Sequence, residues 1–227
     1  MIGIDLFLAP LFAGYLNVAA SACNYAINPQ VNVVSTTDRI QYDFSKSHKD
    51  LQNFHIDTLS PYDRGVHTTV GGLMSGDISV KSKMKVSWQQ ATVRGQDGRD
   101  QCIWVDQVDI GLRIDPVVYI ASEYPRNSCR HKAVMEHEMK HIAADRKIIA
   151  KYSGLIRQQV IYDIKRLGAV GPLSKGELAS YQTKMGDFIE KSIAGISEKM
   201  YAERNQEQQK IDNLKEYERV QSKCSDF

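Results

Sequence analysis

Residues 128–167 read SCRHKAVMEHEMKHIAADRKIIAKYSGLIRQQVIYDIKRL, and this stretch decides the fold. Val134, His141, Ile148, Ile149, Tyr152, Ile156 and Val160 recur at helical spacing and form one stripe, which predicts a helix from about Ser128 to Leu167 with Gly168 as its stop. Inside it lies His137-Glu138-Met139-Lys140-His141, an HExxH arrangement. On a helix, positions four apart stack on one face, so both imidazoles can reach one metal ion while Glu138 faces a water on that ion. Such a cation acidifies its water, a carboxylate takes the proton, and a carbonyl polarised by the ion is attacked. His137 and His141 are therefore expected as ligands of one Zn2+ ion, with Glu138 as the catalytic base.

Upstream of this helix the period falls to two. Ile40, Tyr42 and Phe44 alternate with polar residues, as do Ile78, Val80, Met84, Val86 and Trp88. A third run, Val108, Ile110, Leu112 and Ile114, stops at Asp115-Pro116, where proline removes a ladder donor. These strands predict a small, mainly antiparallel sheet. Lys49 to Leu59 reads as a short helix, followed by a turn from Ser60 to Gly65.

Downstream, Pro172 breaks the chain, and Ser174 with Glu177 three residues on reads as a capping box. The helix it opens has the seam Met185, Ile189, Ile193, Ile196 and Met200, resuming at Ile211 and Leu214, and is expected to run towards Gln221. The fold class expected is thus α+β: a small sheet, a long HExxH helix, and an antiparallel C-terminal helix packing back on it.

Two imidazoles and water do not complete a tetrahedral site. Asp145 is tempting, but on a straight helix it stands about 12 Å from His137 along the axis, so it is expected as an orienting group behind a ligand or as a surface acid. A hairpin centred near Gly171 brings residues of about 201 to 207 beside the motif, where Glu203 and Glu207 continue the seam. Glu207 is the expected third ligand and Glu203 the alternative. Glu218 shares the phase but lies too far along. His48, His55, His67 and His131 are not at ligand spacing, and the sequence does not rank Tyr124 or His131 as further donors near the site.

The chain has 227 residues, 42% of them apolar, enough for one main domain with appendages. The net charge is +2 with acids and bases interspersed, which excludes the concentrated basic face of a nucleic-acid binder. Residues 1–22 carry the apolar run from Leu6 to Leu16 and then Ala20-Ser21-Ala22, an export-signal pattern too short for a spanning helix. The expected organisation is a signal segment at 1–22, an α+β domain at 23–170 and a C-terminal helix at 171–227. The mature chain is expected to be periplasmic or secreted, without a membrane span. Cys23, directly after Ala22, is a candidate for a lipid anchor. The four cysteines, Cys23, Cys102, Cys129 and Cys224, favour disulfides in an exported chain and allow three pairings. Bridging Cys102 to Cys129 would pin the long helix to the sheet, and that pairing is expected here.

The elements together resemble a family of small bacterial proteins described as secreted zinc-dependent proteases. The likeness runs from about Ile40 to Leu155: the strand Ile40-Gln41-Tyr42-Asp43-Phe44, Asp50-Leu51, Ser60-Pro61 leading to Gly65, Val66 and His67, the strand ending Val86-Ser87-Trp88, Cys102, and the HExxH helix. The resemblance implies a zincin-like fold, one zinc ion and a peptide or protein substrate. The family's C-terminal Tyr-Asp-x-x-Thr-x-His-Gly segment has only a loose counterpart at Tyr201 to Gln208, which sets Glu207 where the family has histidine; the Asp, Thr and Gly are missing. A second expectation stands beside the peptidase: a zinc-binding envelope protein that keeps the fold and uses its helix hairpin for protein contacts without catalysis.

Overall fold

A computed structural model describes residues 23–54, 69–91 and 100–224. The expected signal segment, the turn at 60–65, the part of the expected short helix beyond Phe54, His55 and His67 lie outside the described residues. Among the described residues the elements in chain order are β1 (Gln30–Thr37), β2 (Gln41–Asp43), α1 (His48–Leu51), β3 (Gly72–Ser75), β4 (Ile78–Gln90), β5 (Gln101–Ile114), β6 (Val117–Ile120), α2 (Cys129–Leu167), β7 (Val170–Leu173), α3 (Leu178–Ile211) and α4 (Leu214–Ser222). The fold is mixed α+β. No described helix is long and apolar enough to cross a membrane.

The strands form two sheets. One has the order β1-β5-β4, with β7 also pairing β5; the other has the order β2-β6-β3. Pairing is antiparallel between β5 and β7 and between β3 and β6, but β2 and β6 run parallel. The reason lies at Asp115-Pro116, where the ladder of β5 ends: Asp38 and Gln41 donate backbone N–H groups to Ile114 and Pro116 on either side of the break. The chain then restarts as β6 in a different sheet, so the expectation of a single sheet is corrected.

The chain divides into two compact units. The first comprises Met1–Asn32, Ser82–Ile110 and Arg157–Ile193. Cys23, Ala91 and Cys102 are buried in it together, with Tyr25 and Ala169 against them. Gly171 is obligatory there. Its φ is +145°, and a Cβ would stand 2.6 Å from the Gln101 carbonyl oxygen and 2.9 Å from Cys23 Sγ. Asp163, buried on α2, accepts hydrogen bonds from Gln159 at 2.8 Å and from Ser192 of α3 at 2.6 Å.

The second unit comprises Val33–Lys81, Gly111–Ile156 and Ala194–Phe227. Val118 and Ile120 of β6 are buried with Val134 and Ile142 of α2, and Ile40, Phe44, Met74, Tyr124, Met135, Met139 and Val220 pack around them. Helix α2 begins at a Ser128 cap whose Oγ accepts the His131 N–H at 3.1 Å. It ends at Gly168, which takes the left-handed conformation (φ +68°) and donates its N–H to Ile164. The box expected at Ser174 forms only in part: Glu177 accepts from both the Ser174 N–H and its hydroxyl, but the Glu177 N–H goes to the Ser174 carbonyl oxygen, and α3 starts at Leu178. Helix α3 does not reach Gln221, however. It stops at Ile211, and Asn213 caps a separate α4 by accepting the Glu216 N–H at 3.0 Å.

The disulfides join Cys23 to Cys102 and Cys129 to Cys224, so the expected Cys102–Cys129 bridge is corrected. The start of α2 is tied instead to the segment that follows α4. A sulfur engaged with Cys102 has no valence left for a thioether-linked lipid at Cys23. Non-reducing peptide mapping is expected to recover these two linked pairs and no free thiol; a Cys102–Cys129 peptide would contradict the fold.

Candidate metal centre

The second unit gathers His137, His141 and Asp212 into one buried group. His137 Nε2 lies 3.1 Å from Asp212 Oδ1, His141 Nε2 lies 3.2 Å from the same oxygen, and the two Nε2 atoms are 3.4 Å apart. Bonds of about 2.0–2.1 Å in a tetrahedral shell set neighbouring donors about 3.3–3.4 Å apart, so this triangle has the size of one face of such a shell. The residues are 8%, 7% and 6% exposed.

The far sides of the rings show which nitrogens carry protons. Gln208 donates its amide protons to Asp145 Oδ1 at 2.6 Å and to the His141 carbonyl oxygen at 3.2 Å, neither of which can donate in return. Its amide oxygen therefore faces His141 Nδ1, which must be the N–H. The His137 Nδ1 faces a carboxylate oxygen of Glu216 at 3.3 Å and its Nε2 faces Asp212, so either nitrogen has an acceptor for its proton. Both rings thus turn their Nε2 atoms towards Asp212, where each can donate to the carboxylate when the ring is protonated or, when neutral with its proton on Nδ1, offer a lone pair to a cation.

The electrostatics agree. Burial alone would lower the pKa of His137 and of His141, yet the hydrogen bond to Asp212 and the charge of Glu138 outweigh it and both are raised. Glu216 is held down at about 2, first by the Arg219 guanidinium, against some burial, and then by Lys140 and His137. It remains an anion behind His137. The group can hold a divalent metal ion, with each ring oriented by an acceptor at its back.

Glu138 is 4% exposed, and burial pushes its carboxyl up to about 7 against the lowering influence of the two rings. It accepts the backbone N–H of Met74 in β3. The approach requires glycine at position 72, where a Cβ would meet Val134 Cγ1 at 2.3 Å and Glu138 Oε1 at 2.9 Å. The β3 backbone thus lies directly against the general-base candidate.

The structure gathers His137 and His141 but places Glu207 and Glu203 elsewhere. Glu207 is ion-paired with Lys210 on the surface, and Glu203 accepts from Lys151 at 2.7 Å and from Tyr152 at 2.9 Å. The carboxylate that joins the rings is Asp212. A straight hairpin centred near Gly171 fails because β7 lies in the connection. The pairing slides along, setting Gln208 opposite His141 and Arg204 opposite Asp145. Asp145 is fully buried and reaches His141 through Gln208. Tyr217, also unforeseen, donates to Asp212 Oδ1 at 3.3 Å and packs on the His137 ring. One signal was present: Asp212-Asn213 with Glu216 three residues after Asn213 is a helix-start pattern, and it marks the break that turns Asp212 inward. Tyr124 packs on His48, and His131 on Phe44.

The sequence matches no protein-family model, and no curated protein or solved structure shows significant similarity to it. Assignment rests on the site itself. Asp212→Ala is expected to weaken divalent-metal binding at least about 100-fold, whereas Glu207→Ala leaves it within about twofold of the parent, as read by chelator competition on the folded proteins.

Proposed function

We propose that the chain is a zinc-dependent hydrolase of zincin type, acting on peptide bonds, in which His137, His141 and Asp212 hold the ion and Glu138 serves as general base. One observation carries this reading: two imidazole nitrogens one helical turn apart and a carboxylate oxygen converge at 3.1–3.4 Å, with the motif's glutamate next to the first of them. Two nitrogens and one oxygen suit zinc, leaving a fourth position for water or substrate.

Zinc bound there would supply a Lewis acid that acidifies a water and polarises a carbonyl. Glu138 takes the water's proton and delivers it to the leaving amine, a task matched to a carboxyl whose burial brings its acidity near neutrality. Glu216 and Gln208, each facing an Nδ1, orient the two Nε2 atoms towards Asp212. Strand β3 lies at an edge of the β2-β6-β3 sheet against Glu138. It supports an extended peptide as substrate, because an edge offers backbone donors and acceptors in register. The two disulfides are consistent with a periplasmic or secreted protein.

Burial favours a second reading. The three ligands and Glu138 are all less than a tenth exposed, as in a closed metal site that stabilises a fold without catalysis, so a non-catalytic zinc-binding envelope protein is the alternative. Glu138→Gln separates the two. The hydrolase reading expects zinc retained and cleavage of a peptide library reduced about 100-fold or more; a wild-type protein that binds zinc and cleaves no member of the library supports the closed site.

A further inference from the structure

A path of hydrogen bonds leads away from His141 to the carbonyl of Gly76 and, through the backbone of β3, comes back to Glu138. From His141 it passes to Gln208, and from Gln208 Nε2 to Asp145 Oδ1 at 2.6 Å. Asp145, 0% exposed, is gripped by the two-pronged guanidinium of Arg204, with Nε to Oδ1 at 2.8 Å and Nη2 to Oδ2 at 3.0 Å. The same Nη2 donates at 2.8 Å to the carbonyl oxygen of Gly76, just past the end of β3. Two residues earlier in that strand, Met74 gives its N–H to Glu138.

We infer that Arg204, Asp145 and Gln208 form a positioning relay, which fixes the His141 ring with Nε2 turned to the metal and fastens β3 against the helix that carries Glu138. The inference rests on the reading of His137, His141 and Asp212 as metal ligands. The chemistry is directional at every step. A buried carboxylate needs a cation, and the planar fork of arginine satisfies both oxygens while leaving an N–H for Gly76. Asp145, so held, accepts only. Gln208 must therefore present its NH2 to Asp145 and its oxygen to His141, and that oxygen demands a proton on Nδ1. An ion pair remote from the metal thus determines which imidazole nitrogen is free to bind it. Lysine at 204 would keep the charge but could not span both Asp145 oxygens and Gly76 in one plane.

The test uses the full chain with Gln208→Leu, which removes no charge, Arg204→Lys, and the double variant. Lys151→Met, which breaks the separate pair with Glu203 between the same helices, is the control. Two quantities are read: zinc affinity by chelator competition, and the neutral tautomer of His141 from imidazole nitrogen NMR on zinc-free protein, taken above the raised His141 titration that the same spectra follow. Gln208→Leu and Arg204→Lys are each expected to weaken zinc about 10–100-fold and to shift His141 away from Nδ1–H. The double variant should be no worse than the weaker single, because both act through one chain; Lys151→Met should change neither quantity. Retention of Nδ1–H and parental affinity in Gln208→Leu, or additive losses in the double variant, would overturn the relay. Should the wild-type chain take up no zinc, the metal reading fails instead, and the tautomer measurement alone still decides the relay.

Discussion

Two imidazole nitrogens and a carboxylate oxygen share one buried point, and the second unit is organised around that fact. His137 Nε2, His141 Nε2 and Asp212 Oδ1 stay together only with positive charge among them, as protons on the rings or as a cation. Each surrounding feature lessens that conflict or exploits it. Helix α3 ends at Ile211, which frees Asp212 from helical direction; Asn213 opens α4 at once, and α4 delivers Glu216 to His137. The Cys129–Cys224 bridge ties the chain after α4 to the first turn of α2. A loop closed by a disulfide loses freedom chiefly in the unfolded chain, so the bridge adds to the contacts that Val220, Glu216 and Tyr217 make from α4.

The two rings are not equivalent. His137 is backed by a carboxylate that Arg219 and Lys140 keep ionised, whereas His141 is backed by a neutral amide. An anion behind an imidazole raises its basicity and donor strength more than an amide does. A divalent ion held there would have one of its two charges cancelled by Asp212 and would keep net positive charge. On the proposed hydrolase reading that charge would acidify a water, and Glu138, raised towards neutrality by burial, would be the group to take its proton.

The sequence made some of this plain and concealed the rest for physical reasons. Helical period over residues 128–167 and a glycine that can adopt positive φ gave the limits of α2 almost to the residue. The HExxH spacing brings both rings to one face by helix geometry alone. Alternation located β4 and β5. Long-range partners were harder. The third carboxylate depends on where two helices meet, and a strand in their connection moves that register, so Glu207 projects to Lys210 and Asp212 takes the place expected for it. Disulfide partners likewise depend on tertiary distances that spacing does not encode. Gln208 carries no sequence mark of its role, because an amide in a polar helix reads as surface until its neighbours are known.

X-ray absorption at the zinc edge, on protein loaded with one equivalent of Zn2+ and freed of excess, tests the central claim most directly. The account predicts a single shell of nitrogen and oxygen at about 2.0–2.1 Å with the multiple scattering of two imidazoles and no sulfur. A sulfur shell, an all-oxygen six-coordinate environment or failure to retain the ion would contradict it.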